Sequence, residues 1–231
     1  MAPNTATTDA RPGPIPQGAK WKIWLERLGP LLALVIVTLG FAVADQIWGR
    51  GKFIEIRNLR VVLASTAPVA VAALGMTLII ITGGIDLSAG TSSVLCATVL
   101  ALALNNDVSV GLAIALAIGT GACCGAFNGL LIGTLRIAPF IVTLGSMTIF
   151  LGIGKHLANS TTIFVAPERV PEWLSKFVST APPHWYGWMP NIPPGVWVAL
   201  LIAVGVAIIL WLTVFGRHLK AVGSNEATAR L

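Results

Sequence analysis

The sequence predicts an all-α protein, a polytopic bundle of helices that crosses a lipid bilayer about six times. Three observations carry that prediction. Of the 231 residues, 55% are hydrophobic and only 10% are charged, whereas a soluble domain usually carries about a quarter charged residues. Uncharged, mainly apolar runs of bilayer-crossing length, on the order of 20 residues, occur at 28–48, 61–81, 87–104, 109–134, 138–157 and 195–215. Runs such as "LLALVIVTL" and "VALLIAVGVAIIL" are apolar on every face and lack the alternation of a β-barrel strand. Helices remain, because lipid cannot satisfy open backbone groups.

Residues 1–22 read as an N-terminal tail, whose stretch "MAPNTATTDARPGPIPQGA" has the composition of a disordered segment. Residues 23–231 form the membrane domain. Trp24 and Trp48 bracket the first span, and their separation of roughly 36 Å along a helix matches two aromatic belts. A secretory signal with Ala42-x-Ala44 as its cleavage site is the rival reading, but its apolar region is too long. The formal charge of +6 comes from Lys and Arg clustered at span ends rather than on one face. It reflects membrane topology, not nucleic-acid binding. With the N-terminus inside, alternate loops hold eight and seven basic residues, so charge alone leaves the orientation open. Reading "FIEIRNLR" as an interfacial segment is one way to sharpen the bias.

The fourth span carries Gly121, Gly125, Gly129 and Gly133 at every fourth position, extended backward by Ala117 and Ala113. Such a stripe lets another helix backbone approach closely. Asn128 in the same span is read first as an interhelical hydrogen bond and second as a substrate contact. Residues 155–194 form the one sizeable polar loop, with seven prolines and Trp173, Trp185, Tyr186 and Trp188. Within it "ERVPEWLSKFVS" is either a short interfacial helix or a rigid aromatic-anchored loop.

Enzyme signatures are missing. No phosphate-binding loop occurs, since "GIGKH" at 152–156 lacks both spacing and hydroxyl. His156, His184 and His218 lie on separate segments, and Cys96, Cys123 and Cys124 fall in apolar spans. We therefore assign no catalytic residue, metal site or cofactor.

Between the second and third spans one carboxylate, Asp86, stands between uncharged runs 61–85 and 87–106, inside "ITGGIDLSAG". Gly83 and Gly84 free the backbone for a change of direction. Asp86 is suited to cap a helix starting at Leu87, with Ser88 beside it. The break is either a tight turn or a discontinuity that places polar backbone near a translocation route. Thr82, Asn128 and Thr143 are the candidate pathway residues, although such side chains occur in any bundle.

"ITGGIDLSAG" resembles the signature of the bacterial ribose, xylose and arabinose type permeases, the membrane subunits of ATP-binding cassette importers. "NLRVVLASTAPVAVAALGMTLII", "RIAPFIVTLGSMTIFLGIG" at 136–154 and "FGRHLKAVGSNEATARL" at 215–231 match as well. The resemblance implies a monosaccharide importer of the bacterial inner membrane whose permease has no ATPase site, ATP being bound by a partner. The implied partners are that ATPase, a periplasmic sugar-binding protein, a second permease copy as homodimer, and lipid. It also implies that 216–231 is the cytoplasmic segment gripped by the ATPase, with Gly216, Arg217, Gly223, Asn225, Glu226, Ala229 and Arg230 as its residues. This puts the 155–194 loop outside.

Members of that family continue past the point where this chain ends at Leu231, so the expected fold is an incomplete importer permease. A non-functional truncated fragment is one alternative, and a branched-chain amino acid permease is another. An ion-driven secondary transporter would need ionisable groups within its spans, and only Asp45 and Asp86 at span ends are available.

Overall fold

A computed structural model of the chain describes residues 17–49, 51–178 and 192–224. Eight α-helices occur among them: α1 (Gln17–Trp48), α2 (Ile56–Ile81), α3 (Ala89–Asn105), α4 (Val110–Leu135), α5 (Pro139–Leu157), α6 (Glu172–Val178), α7 (Pro194–Leu212) and α8 (Val214–Ser224). The expected all-α architecture is present. Five helices, α1 from Leu28, α2, α4, α5 and α7, are long and apolar enough to cross a membrane. The sixth expected span is shorter. Helix α3 has 17 residues, about 25 Å at 1.5 Å each, against a hydrocarbon core of about 30 Å.

Helix boundaries move for local reasons. α1 begins at Gln17, directly after Pro16, so the expected tail boundary at 22 falls inside a helix; residues 1–16 lie outside the described residues. Helix α2 starts at Ile56 rather than 61, absorbing the end of "FIEIRNLR" into its first turns.

The chain divides into two compact units, residues 1–59 and 60–231. In the first, the segment after α1 folds back on that helix. The Asp45 backbone carbonyl accepts from the Gly49 and Gly51 amides, its carboxylate accepts from the Phe53 amide at 2.7 Å, and the Phe53 ring stacks on Phe41 at 6.3 Å.

In the second unit, α3, α4 and α5 pack on one another. One buried cluster joins Leu95, Cys124 and Phe150, with Val99 against it, and the Phe127 ring meets Phe150 edge-on at 6.1 Å. A second joins Ala103, Leu104 and the fully enclosed Ala113 at the far end of α3. The most enclosed side chains include Ser88, Thr143 and Ser146, while Ile118, Leu201 and Trp211 are about 70% exposed or more. Small polar groups inside and large apolar groups outside is the pattern of a bundle solvated by lipid.

The small-residue stripe of α4 meets its neighbours unevenly within this chain. A methyl at Gly121 would lie 3.2 Å from Cys96 Sγ, but Gly125, Gly129 and Gly133 have nothing within 4 Å. Beside Gly121 and Gly125 a pocket lies between α4, α3 and α2.

At the end of the unit away from the break, residues 158–178 cover the α3–α4 turn. The Asn105 side-chain amide donates to the Phe164 carbonyl at 2.9 Å, and Arg169 pairs with Asp107 at 3.4 Å. The short helix expected in this loop is α6, with Leu174 half-buried; the aromatic stretch 179–191 lies outside the described residues.

Candidate functional site

The α2–α3 break is built from its glycines outward. The Gly84 amide donates to the Ile79 carbonyl at 3.0 Å and the Gly83 amide to the Ile80 carbonyl at 2.9 Å, with Gly83 at φ +80°. This is a Schellman cap with glycine in its left-handed position. Gly84 serves a different purpose: a methyl there would come within 3.0 Å of Ile79 Cγ2 and 3.6 Å of Pro139 Cβ. The Thr82 hydroxyl donates to the Ile79 carbonyl at 2.7 Å, so Thr82 takes part in the cap.

Asp86 is not the N-cap of α3. One carboxylate oxygen accepts both the amide and the hydroxyl of Ser88, each at 2.7 Å. This turn two residues long occupies Leu87 and Ser88, and α3 starts only at Ala89. The carboxylate captures the nearest donors and delays the helix, which accounts for part of the shortness of α3.

Ser88 is 1% exposed and links the break to α4, because the Asn128 side-chain amide nitrogen donates to its hydroxyl oxygen at 2.8 Å. Asn128 is 6% exposed, and its carbonyl oxygen is buried without a hydrogen-bond partner. The polarity of the relay follows from its end: Ser88 gives its only proton to Asp86, so Asn128 must present nitrogen to Ser88 and leave its oxygen over. A buried acceptor left unmatched costs about 1–3 kcal/mol, so this atom calls for a donor from outside the chain.

A pocket of about 230 Å³ lies beside this relay, lined by Gly75, Met76 and Ile79 of α2, by Asp86, Ser88, Ser92 and Ser93, and by Gly125 and Asn128 of α4. At about 30 Å³ per water, it holds roughly seven or eight. A larger cavity of about 650 Å³ between α3, α4 and α5 is lined by Leu95, Leu116, Phe127 and Phe150 among others. Its apolar walls have little with which to orient a polar ligand.

Thr143, placed on the pathway by sequence, instead fastens the break to α5. Its hydroxyl lies within hydrogen-bond distance of the Ile85 carbonyl at 3.2 Å and of its own helix at Phe140. Sequence reasoning missed Ser92, Ser93, Gly75 and Met76. A usable signal existed for Ser92, four residues beyond Ser88 and therefore on the same helix face.

Helix α8 meets the same region. At the α7–α8 elbow Thr213 is extended (φ −103°, ψ 157°) and Gly216 is buried against the last turn of α7. Lys220 Nζ lies 4.2 Å over the Trp211 ring. Gly223 approaches the Ile81 backbone. Arg217 is exposed on α8. Asn225, Glu226, Ala229 and Arg230 lie outside the described residues. Among the described residues no group of His, Cys, Asp and Glu is arranged to hold a metal.

Against known proteins, the profile of the family described as "Branched-chain amino acid transport system / permease component" matches residues 58–231. The chain belongs to this permease family. The permease is 30% identical over 215 residues to the ribose import permease protein RbsC of Escherichia coli K12, covering 91% of this chain and 62% of that one. It is 30% identical over 179 residues to the autoinducer 2 import system permease protein LsrC of Photorhabdus laumondii, covering 78% and 50%. Over 221 residues it is 34% identical to the galactofuranose transporter permease protein YtfT of Escherichia coli K12, covering 90% and 58%. The chain thus spans between half and two thirds of the length of these relatives. No solved structure matches it significantly. With five membrane-length helices among its described residues, the permease is a multi-pass protein of the bacterial inner membrane.

Proposed function

We propose that this chain is the membrane-spanning part of an ATP-binding cassette importer that brings a monosaccharide of the ribose, xylose and arabinose class into the cell. The observation that carries the reading is the Asp86–Ser88–Asn128 relay, which ends on an unmatched carbonyl oxygen beside a pocket of about 230 Å³. A neutral polyol donates readily to such an acceptor through its hydroxyls. The pocket lining holds no Lys or Arg to pair with the carboxylate of an amino acid zwitterion. That chemistry favours sugar over the branched-chain amino acids of the family's description, and two of the relatives carry sugars in their names.

The permease makes and breaks no covalent bond and binds no cofactor of its own. ATP acts on a partner ATPase gripping the segment from Gly216 onward, and it biases the path because one conformation is bound better than the other. A periplasmic sugar-binding protein docks on the side of the 155–194 loop, and a second copy completes the path. The break then lies at the cytoplasmic ends of α2 and α4, close to the partner that moves it.

The test is ATP-driven uptake by the full-length permease with its ATPase and binding protein in proteoliposomes. Labelled ribose accumulates and leucine does not. Leucine uptake without any pentose uptake refutes the sugar assignment. Glu226→Ala combined with Arg230→Ala leaves membrane insertion intact and abolishes substrate-stimulated ATP turnover; unchanged turnover refutes the coupling assignment.

A further inference from the structure

Helix α8 is short and carries two glycines, at positions 216 and 223, although glycine is a poorer helix former than alanine. Neither has a positive φ, so neither is there for backbone freedom. Both sit where a side chain has no room. At the start of α8, a methyl on Gly216 would overlap the Ile209 carbonyl oxygen and lie 2.6 Å from Leu210 Cα. The first turn of α8 is therefore laid directly on the last turn of α7. At the tip, a methyl on Gly223 would overlap the Ile81 carbonyl oxygen, 2.9 Å from the carbonyl carbon and 3.6 Å from Thr82 Cα. These neighbours are backbone and cannot swing aside as a side chain would.

Ile81 and Thr82 are the last residue of α2 and the residue that follows it, the foundation of the Schellman cap. Ser88, at the other end of the break, is tied to Asn128. We propose that α8 is a strut held at both ends, with Gly223 as the positioning residue through which movement of α7 and α8 reaches the α2 cap and the pocket behind it. A strut of 11 residues spans about 16 Å and carries a push along its axis with little loss, because its hydrogen bonds run along that axis. That the push originates in a partner ATPase rests on the function proposed above; the contact itself does not.

The test separates the two. In the full-length permease in nanodiscs, hydrogen exchange is measured for wild type, Gly223→Ala and Gly205→Ala, the last being a site with nothing within 4 Å. Gly223→Ala raises exchange at the Gly83 and Gly84 amides tenfold or more and leaves α4 and α5 unchanged, while Gly205→Ala matches wild type. Exchange at Gly83 and Gly84 unchanged in folded Gly223→Ala overturns the contact, whatever the substrate proves to be. In the assembled transporter Gly223→Ala also lowers the uptake gained per ATP hydrolysed. Raised exchange with unaltered coupling overturns the strut's role. Should Gly223→Ala fail to accumulate, cysteines at Thr82 and Ser224, in a chain whose three native cysteines are replaced by alanine, are bridged in membranes by a short bis-maleimide. No bridge overturns the proposal.

Discussion

Replacing Asn128 by leucine separates a functional polar group from a structural one. The change removes one hydrogen bond, from Asn128 to Ser88 Oγ at 2.8 Å. Interhelical bonds of this kind in membrane proteins average about 0.6 kcal/mol. It also removes a buried carbonyl oxygen with no partner, which relieves about 1–3 kcal/mol when no ligand is bound. Ser88 keeps its own acceptor in Asp86, and leucine has the same number of side-chain heavy atoms, its extra bulk facing the adjoining pocket. The net expectation is a protein at least as stable as wild type, melting at or slightly above the wild-type temperature in detergent. Uptake goes the other way. A sugar hydroxyl that loses this acceptor loses about 0.5–1.5 kcal/mol, a rise in apparent KM of roughly two- to twelvefold. Thermal unfolding and concentration-dependent uptake are measured on the same preparations. An Asn128→Leu protein that melts well below wild type, with its KM unchanged, refutes the reasoning, because Asn128 would then be a packing residue.

Four other outcomes follow from the geometry. Gly83→Ala forces a methyl into the left-handed region at φ +80° and lowers stability by about 1–2 kcal/mol, with Gly83→Asn milder; equal melting temperatures for the two variants argue against the cap. Asp86→Ala releases both Ser88 donors and depresses assembly or uptake, whereas Asp107→Asn, at an exposed ion pair with Arg169, changes little. Asparagine is the proper control there because Asp107 itself has φ 58°, which alanine would tolerate poorly. Thr143→Val loosens the tie between Ile85 and α5 and lowers stability by about 0.6 kcal/mol without raising KM, which melting and uptake together check. Finally, the Lys176 ammonium hydrogen-bonded to Glu172 at 2.7 Å holds that carboxyl below its ordinary range. The pair is intact above the ordinary carboxylate pKa and is lost as pH falls through the lowered value. Carbon-detected titration of Glu172 moves back up in Lys176→Ala, and an unmoved midpoint removes the pair from the account.

Hydropathy located the helices because the solvent that selects them is uniform: any uncharged run of sufficient length prefers lipid, and α4 and α5 fall within one residue of expectation. Boundaries shifted where a local hydrogen bond competed with the helix, as when Asp86 took Ser88 and moved the start of α3 to Ala89. Asp86, Ser88 and Asn128 were legible as unusual residues in apolar surroundings, but their connection was not. Asn128 and Ser88 are 40 residues apart, and Thr143 and Ile85 are 58 apart; no periodicity within one helix encodes such pairs. The glycine stripe on α4 is of the same kind, since spacing reports that a close approach is possible and not which neighbour uses it. Gly223 carried a signal only through its family motif, and the backbone it touches lies on α2, far back in the chain.

The short third helix has a consequence for the bilayer itself. At about 25 Å it falls roughly 5 Å below the mean hydrocarbon thickness, while the helices beside it are long enough to tilt into register. Hydrophobic mismatch of this size is met by local thinning of the membrane, so lipid headgroups and water are drawn down toward the break. Acyl-chain length thereby becomes a control on how wet the Asp86 region is.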